Sequence, residues 1–201
     1  MDRDVIRFPV ERAAAPLSQR SDDDLMLLAS AGRKDAFSVL VERYMDKVTG
    51  FCAKLLCDRR AGEEVAQETW LRVWAVRSAY VAQGKFPVYL YTLARNLCRN
   101  HRRDRGRRGR WVRDDLDGRA CPADEPASLD RLIAREQEAR VQEALAALSP
   151  RLREAVLLRF SEGLDYPQIA QILGRNESTI RSRVHHGLKR LRDLVQRGSE
   201  P

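Results

Sequence analysis

The 201-residue sequence has few of the features that mark membrane, secreted or disulfide-stabilised proteins. No stretch approaches the roughly twenty consecutive apolar residues that a membrane-spanning helix needs. Residues 1–20 lack the continuous apolar core of a secretory signal, so we expect a cytoplasmic protein. Only four cysteines are present, without a Cys-x-x-Cys pair, and at this density they are expected to be reduced thiols.

The sequence also lacks the patterns that carry enzyme chemistry. It contains no phosphate-cradling glycine loop, no HExxH run and no catalytic triad pattern, and its three histidines are His101, His185 and His186. Cys98 and His101 would share a helix face, but two ligands do not make a structural zinc site. We therefore expect no enzyme activity, no catalytic residue, no metal site, no cofactor and no small-molecule substrate.

Arginine, by contrast, is abundant, and its positive charge is concentrated. Lysine and arginine total 37 against 29 acidic residues, for a net charge of +8. Residues 95–113 contain nine arginines and one acid, Asp104, so this segment alone equals the net charge of the whole chain. Focused positive charge of this kind favours a nucleic acid as the partner.

Apolar periodicity predicts an all-α fold of two small helical domains joined by a flexible linker. Residues 1–20 are expected to be a disordered extension, and the first domain covers 21–113. Residues 114–128 carry five acids with proline and glycine but few large apolar side chains, which is typical of a linker. The second domain covers 129–197.

The first domain is predicted to contain about four helices and no strand. Ser21, with Asp24 three residues later, marks a capped helix start. A long amphipathic helix runs from Phe37. Residues 58–62 are expected to form a non-helical break, followed by a helix over 63–75 with acids in its first turn. Pro87 suits the first turn of the fourth helix. Its aromatic neighbours Tyr89 and Tyr91, like Trp74, are expected to be core residues.

The sharpest local pattern is a helix-turn-helix in the second domain. Asp165 and Gln168 form a capping-box pattern, Gly174 ends that short helix, and Asn176 is a good N-cap for the next one. The first half of such a helix normally meets base edges in the major groove. At 100° per residue, the side chains that point outward from it are Ser178, Arg181, Ser182, His185 and Lys189.

Several motifs in order resemble the extracytoplasmic-function (ECF) sigma factors, the smallest class of bacterial initiation factors in the sigma-70 family. The resemblance covers roughly residues 22–196. The first domain carries AF..L...Y from residue 36, EEVAQETWLRVW from residue 63 and F...LYTLARN from residue 86. The second carries LSPRLREAVLLR from residue 148, GLDY from 163, IAQILG from 169 and STIRSRV from 178.

The resemblance implies a transcription initiation factor that binds core RNA polymerase, recognises and melts the minus-ten promoter element and reads the minus-thirty-five element. The residues implied to bind core polymerase are Glu63, Glu64, Gln67, Glu68 and Leu71. Those implied to contact the minus-ten element are Tyr80, Lys85, Phe86, Asn96, Arg99, Asn100 and Arg103. Those implied to contact the minus-thirty-five element are Arg159, Tyr166, Ser178, Thr179, Arg181, Ser182, Arg183, His185 and His186.

The resemblance also implies an anti-sigma protein as a partner, often membrane-bound, which would hold the factor at the inner face of the membrane. From the residues alone, the acids of the 63–75 helix have another interpretation, in which they stabilise the dipole of their own helix. A second interpretation of the whole chain is a helix-turn-helix regulator that binds duplex DNA without polymerase. A third is a general basic RNA-binding protein, whose affinity would depend on salt and not on sequence.

Overall fold

A computed structural model describes residues 16–108 and 139–197 of the chain. Within these ranges the regular structure is helical and contains no strand, as the apolar periodicity predicts. No helix there is both long and apolar enough to span a bilayer. The predicted linker, 114–128, lies outside the described residues, as do residues 1–15 of the predicted extension. The prediction of disorder is wrong for residues 16–20, because Leu17–Gln19 forms a 3₁₀ turn and Arg43 donates hydrogen bonds to the carbonyl oxygens of Ser18 and Arg20.

The first part of the chain forms four α-helices among the described residues, as predicted, together with two short 3₁₀ turns. The four α-helices are α1 (Asp22–Ser30), α2 (Lys34–Leu56), α3 (Arg59–Ala75) and α4 (Phe86–Arg108). Ser21 caps α1 as predicted, because its Oγ accepts a hydrogen bond of 3.2 Å from the backbone N–H of Asp24. The amphipathic faces of the four helices meet in a core that buries Leu40, Phe51 and Tyr91.

The break between helices that was predicted at residues 58–62 is shorter than predicted, because α3 begins at Arg59 and only Cys57 and Asp58 separate it from α2. Asp58 is the N-cap of α3, and its Oδ1 accepts a hydrogen bond of 3.0 Å from the N–H of Ala61. The first turn of α3 therefore contains no acid, contrary to the prediction. Gly62 continues the helix at a close approach to α2, since a Cβ atom there would lie 2.4 Å from the Cα of Ala53.

The second part of the chain is also helical. A helix, α5, covers 139–146 of the described residues. It is followed by α6 (Pro150–Val156), which continues into a five-residue π-helical turn (Leu157–Ser161). Then come α7 (Tyr166–Leu173) and α8 (Glu177–Arg197).

The caps predicted for the helix-turn-helix are present. The N–H of Gln168 donates to Asp165 Oδ1 at 2.7 Å, and the N–H of Asp165 donates to Gln168 Oε1 at 3.0 Å, which completes the capping box. Gly174 adopts the left-handed conformation with φ of 61°. Asn176 Oδ1 accepts a hydrogen bond of 3.0 Å from the N–H of Thr179 and caps α8.

The two helical domains pack directly against each other. α4 contacts α7, while α2 contacts α6 and the π-helical turn, and buried apolar residues from both domains form one continuous core. The Arg153 side chain, 7% exposed, donates to three carbonyl oxygens at the end of α5 and the following turn. It also reaches the first domain, where it contacts the carbonyl oxygen of Leu55 at 3.2 Å and Cys57 Sγ at 2.8 Å.

Two further polar contacts cross between the domains. Arg95 in α4 pairs with Glu154 in α6 at 3.0 Å, and the two side chains are only 13% and 8% exposed. Tyr91 donates its hydroxyl hydrogen to a carboxylate oxygen of Glu162, just beyond the π-helical turn. These buried polar partners, together with Arg153, fix one arrangement of the domains, because separating them would leave charged groups that must be rehydrated or paired again.

Candidate functional site

The residues predicted to bind polymerase share one face of α3. Leu71 is 69% exposed, which is unusual for a large apolar side chain, and Gln67 and Glu68 lie one turn before it. Glu64 is exposed one further turn back, and Glu63 beside it is half-buried. The arrangement is an apolar side chain bordered by acids on the outside of the molecule.

The acids on this face make ion pairs along the helix instead of stabilising its first turn. Glu63 pairs with Arg59 at 3.0 Å, and Glu68 pairs with Arg72 at 2.6 Å. Exposed pairs of this spacing contribute roughly 0.3–0.5 kcal/mol each. Because α3 starts at Arg59, these carboxylates lie beyond the first turn, and the interpretation that they stabilise the helix dipole is wrong. A partner could exchange these weak pairs at little cost to the fold.

Most of the residues predicted to contact the minus-ten element are exposed, but one of them is buried. Lys85 is exposed ahead of α4, and Asn96, Arg99, Asn100 and Arg103 are exposed along that helix. The prediction for Phe86 is wrong, because its side chain is completely buried. It packs edge-on against the rings of Tyr44 and Tyr80, so it belongs to the core and cannot stack on a base.

Asp23 in α1 fixes the loop that precedes α4. Its Oδ1 accepts hydrogen bonds from the hydroxyl of Tyr80 at 2.7 Å and from the N–H of Phe86 at 3.1 Å, and its other oxygen accepts from the N–H of Gly84. Partial burial and the bond to this carboxylate raise the pKa of Tyr80, which therefore keeps its proton. Asp23 was not predicted as a functional residue, and its only signal in the sequence is its place in the run of aspartates that opens α1.

A shallow groove of about 310 Å³ lies beside this loop, with Gln171 of the second domain at its edge. Its lining includes Tyr80, Lys85, Val88 and Tyr89. The rings of Tyr80 and Tyr89 meet edge-on with centroids 5.4 Å apart, and both are only partly buried. Tyr89 therefore lines a groove, although the sequence analysis expected a core residue. Tyr80, which is predicted to contact the minus-ten element, lines the same groove.

The N-terminal half of α8 presents the polar face that the helix geometry predicts. Ser178, Arg181, Ser182 and His185 are exposed on it, and so is His186. The rings of the two histidines lie 5.8 Å apart. Where the structure describes side chains, no three histidine, cysteine or acidic residues gather as metal ligands. Thr179 is half-buried, and its N–H is already used by the cap of α8.

The ring of Tyr166 contacts two of the predicted arginines beside this face of α8. The guanidinium of Arg181 lies 4.3 Å from the centre of its ring, and that of Arg159 lies 5.3 Å away. Arg181 also approaches Glu177 at 3.3 Å, and Arg159 donates to the carbonyl oxygen of Leu164 at 3.1 Å. Each cation is thereby oriented before a ligand arrives. Among the residues predicted for the minus-thirty-five element, Arg183 lies apart from this face and lines the cleft between the two domains.

Comparison with known proteins gives a family for both halves of the chain. The model described as Sigma-70 region 2 matches residues 40–108, and the model described as Sigma-70, region 4, matches residues 138–191. The RNA polymerase sigma-H factor of Pseudomonas aeruginosa is 30% identical over 92% of this chain and 97% of its own length. The ECF RNA polymerase sigma factor SigK of Mycobacterium sp. (strain JLS) is 33% identical over 87% of this chain and 91% of its own length.

Two solved structures have a similar fold. One is the sigma factor RpoE in complex with the anti-sigma factor NepR from Bartonella quintana, with a TM-score of 0.66 and 28% identity over 82% of this chain and 98% of that one. The other is CnrH in complex with the cytosolic domain of CnrY, with a TM-score of 0.67 and 21% identity over 90% of this chain and all of that one. At that identity, the second likeness concerns the fold alone.

Proposed function

Because this chain belongs to the ECF sigma factors of the sigma-70 family, we propose that it binds core RNA polymerase and directs it to specific promoters. The observation that carries this function is the occurrence of both sigma regions, in order, on one short chain. The factor supplies promoter recognition and melting, and the polymerase supplies the chemistry. A regulator that bound DNA only through the helix-turn-helix could use its N-terminal half for dimerisation, but it would not require the sequence of sigma-70 region 2 there.

The polymerase-binding surface is the exposed face of α3 around Leu71. An apolar side chain bordered by Glu64, Gln67 and Glu68 suits a partner surface that is apolar at its centre and basic at its rim. The weak ion pairs along the helix are given up when basic groups of the partner take the place of Arg60 and Arg72.

The first domain captures the minus-ten element along α4 and the loop before it. Melting requires a surface for an unstacked base and cations for the displaced backbone. The groove of Tyr80 and Tyr89 has the aromatic character for the base, and Lys85 stands at its edge. Arg99 and Arg103 are exposed along α4 for the phosphates.

The first half of α8 reads the minus-thirty-five element. Arg181 and Ser182 are exposed at the level where a recognition helix meets base edges, and arginine is the commonest reader of guanine. Arg159 and Tyr166 lie beside α8 and are better placed to hold the backbone than to read bases.

The domains must separate for both elements to be read together. The two elements are centred about 25 base pairs apart, which is roughly 85 Å of B-form DNA at about 3.4 Å per base pair. In the structure the domains are in direct contact through α4 and α7. We infer that this closed arrangement belongs to the free factor, and that polymerase stabilises an open one.

An anti-sigma protein is the second partner that we propose. The structure of RpoE, to which this chain is similar, is a complex with the anti-sigma factor NepR. A membrane-bound partner of this class would hold the factor at the inner face of the membrane.

The decisive experiment measures whether the full chain forms a stoichiometric complex with core RNA polymerase at about 0.15 M salt, where distant surface attraction is screened. We expect binding, and we expect Glu64→Lys combined with Gln67→Ala to weaken it without loss of helicity. Glu42→Lys, an equal charge reversal at an exposed position of α2, is the control and should bind normally. A folded protein that binds duplex DNA but not polymerase would instead favour the helix-turn-helix regulator.

A further inference from the structure

Six arginines from the two domains line one cleft between α4 and the helices α6 to α8. The cleft has a volume of about 390 Å³, and its cationic residues are Arg95, Arg99, Arg102, Arg151, Arg175 and Arg183. Glu154 is the one acid among its lining residues, and it is already paired with Arg95 at 3.0 Å. In the described part of the chain, Arg99, Arg102, Arg151 and Arg183 form no ion pair with a carboxylate.

The guanidinium groups in this cleft repel one another. Partial burial lowers the pKa of Arg183, and the positive charges of Arg175, Arg151 and Arg95 lower it further, while Glu154 acts in the opposite direction. The repulsion does not drive the domains apart, because Arg153 and the pair of Tyr91 and Glu162 join them elsewhere. The closed arrangement therefore creates a concentrated positive potential that neither domain has alone. A multiply charged anion bound in the cleft would be attracted by all of these arginines, and this attraction would offset their mutual repulsion.

We propose that this cleft binds a small polyphosphate anion, free or as part of a nucleotide, and that the bound anion holds the two domains together. A guanidinium donates two parallel hydrogen bonds to phosphate oxygens, so several arginines around one cavity can engage successive phosphate groups. The volume is that of a small-molecule site and does not admit a DNA duplex. The ligand joins α4 to α6 and α8, and it therefore favours the closed arrangement over the separated one.

The proposal goes beyond the initiation function, although its effect on transcription rests on that function. Arg99 and Arg183 are among the residues predicted to contact promoter DNA, and both line the cleft. A bound polyphosphate would occupy these cations and keep the domains too close to span a promoter. The anion is thus expected to oppose promoter binding by the free factor.

The test is a calorimetric titration of the full chain with sodium tripolyphosphate at about 0.15 M salt, without polymerase or DNA. The test variant is Arg102→Ser with Arg151→Ser, since both side chains are exposed in the cleft and neither anchors the domains. The matched control is Lys189→Ser with Arg190→Ser, which removes the same charge from exposed positions of α8 outside the cleft. We expect affinity to fall about tenfold or more in the test variant and less than about twofold in the control.

Two further measurements separate a site from general attraction. Small-angle scattering should show that tripolyphosphate does not raise the radius of gyration of the wild type, because the ligand favours the closed arrangement, and an increase would contradict the proposal. ATP in place of tripolyphosphate tests whether a nucleotide is the preferred form, since tighter binding of ATP identifies a contribution from the base and sugar. Sulfate at equal ionic strength should not reproduce the effect.

Equal losses in the two variants, or equal binding of sulfate, would overturn the proposal. So would the absence of tripolyphosphate binding by a protein whose circular dichroism shows it to be folded. If that same protein still forms a complex with core polymerase, the anion site alone is rejected and the initiation function stands.

Discussion

Arg181 is held in place by two neighbours at the start of the recognition helix. It stacks on the Tyr166 ring at 4.3 Å and approaches Glu177 at 3.3 Å, so its guanidinium is oriented before DNA binds. Preorganisation of this kind lowers the conformational entropy lost on binding. The residue with the strongest claim to read a base is therefore also restrained in the free protein.

Replacing Arg181 tests that claim. We expect Arg181→Ala to cost about 1–3 kcal/mol at particular upstream bases and to relax the preference there. The measurement is competition binding of the holoenzyme to promoters that differ by single base pairs in the minus-thirty-five element. Arg192→Ala, at an exposed position in the C-terminal half of α8, is the control. An equal loss on every promoter would mean that Arg181 only holds the backbone.

The aromatic residues before and within α4 show what the sequence can predict about single side chains and what it cannot. Phe86 lies in a motif shared with the family, and the motif predicted an aromatic residue near the minus-ten element. The pattern cannot say which ring of several faces outward, because Tyr80, Phe86 and Tyr89 are all aromatic and lie close together along the chain. Asp23 fixes the positions of two of them, because it accepts hydrogen bonds from the Tyr80 hydroxyl and the Phe86 N–H.

At the scale of helices, the packing of α2 against α3 depends on the absence of a side chain. A Cβ atom on Gly62 would lie 2.4 Å from the backbone of Ala53, and backbone cannot move aside as a flexible side chain can. A Cβ atom on Gly50, in α2, would have no atom of a neighbouring element within 4 Å. These two helical glycines therefore form a matched pair.

We expect the same substitution to have opposite effects at the two positions. Gly62→Ala should lower the free energy of unfolding by about 1–3 kcal/mol, because α3 must shift away from α2. Gly50→Ala should raise it by about 0.5–1 kcal/mol, because alanine favours an open helical position. Denaturation by urea measures both. Two changes of the same sign would contradict the close packing inferred at Gly62.

The helix boundaries show which local signals are reliable. Caps that agree with a following apolar period, such as Ser21, Asp165 and Asn176, were predicted correctly from the sequence. The start of α3 was not, because Gly62 was interpreted as a break and the capping carboxylate of Asp58 was included in that break. A glycine that allows two helices to touch resembles a glycine that ends one, and only the neighbouring helix distinguishes the two.

At the scale of the whole molecule, Glu162 links the domain contact to pH. Burial raises the pKa of its carboxyl above the ordinary 4.5, while the hydrogen bond from Tyr91 and the charges of Lys54 and Lys47 act in the opposite direction. A raised pKa means that the folded state prefers the protonated acid. The stability that this group contributes is therefore complete below pH 4.5 and is lost as the pH rises through the raised value.

Glu162→Gln should remove this dependence. The amide oxygen still accepts the hydrogen bond from Tyr91, and it carries no charge to desolvate. We expect the free energy of unfolding of the variant to fall less steeply than that of the wild type as the pH rises above 4.5, the ordinary pKa of the side chain. Denaturant titrations at a series of pH values measure the difference, and parallel curves would show that Glu162 does not link the contact to pH.

The contact between the domains could not be predicted from the sequence. Arg95 and Glu154 are 59 positions apart, and each is an ordinary charged residue within its own amphipathic helix. In the sequence, Arg153 resembles a solvated arginine of a motif. In the structure it donates five hydrogen bonds, which are shared between both domains. The two domains and their functions follow from local patterns, whereas their mutual arrangement depends on pairs that no local pattern identifies.

The direct packing of the two domains sets a population as well as a shape. A ligand that needs the domains apart binds only the separated fraction of molecules, and its apparent dissociation constant is the intrinsic one divided by that fraction. Each roughly 1.4 kcal/mol by which the closed form is favoured therefore weakens apparent affinity for promoter DNA about tenfold. Loss of the Arg95–Glu154 pair would have the converse effect, raising background transcription without altering any residue that touches a base.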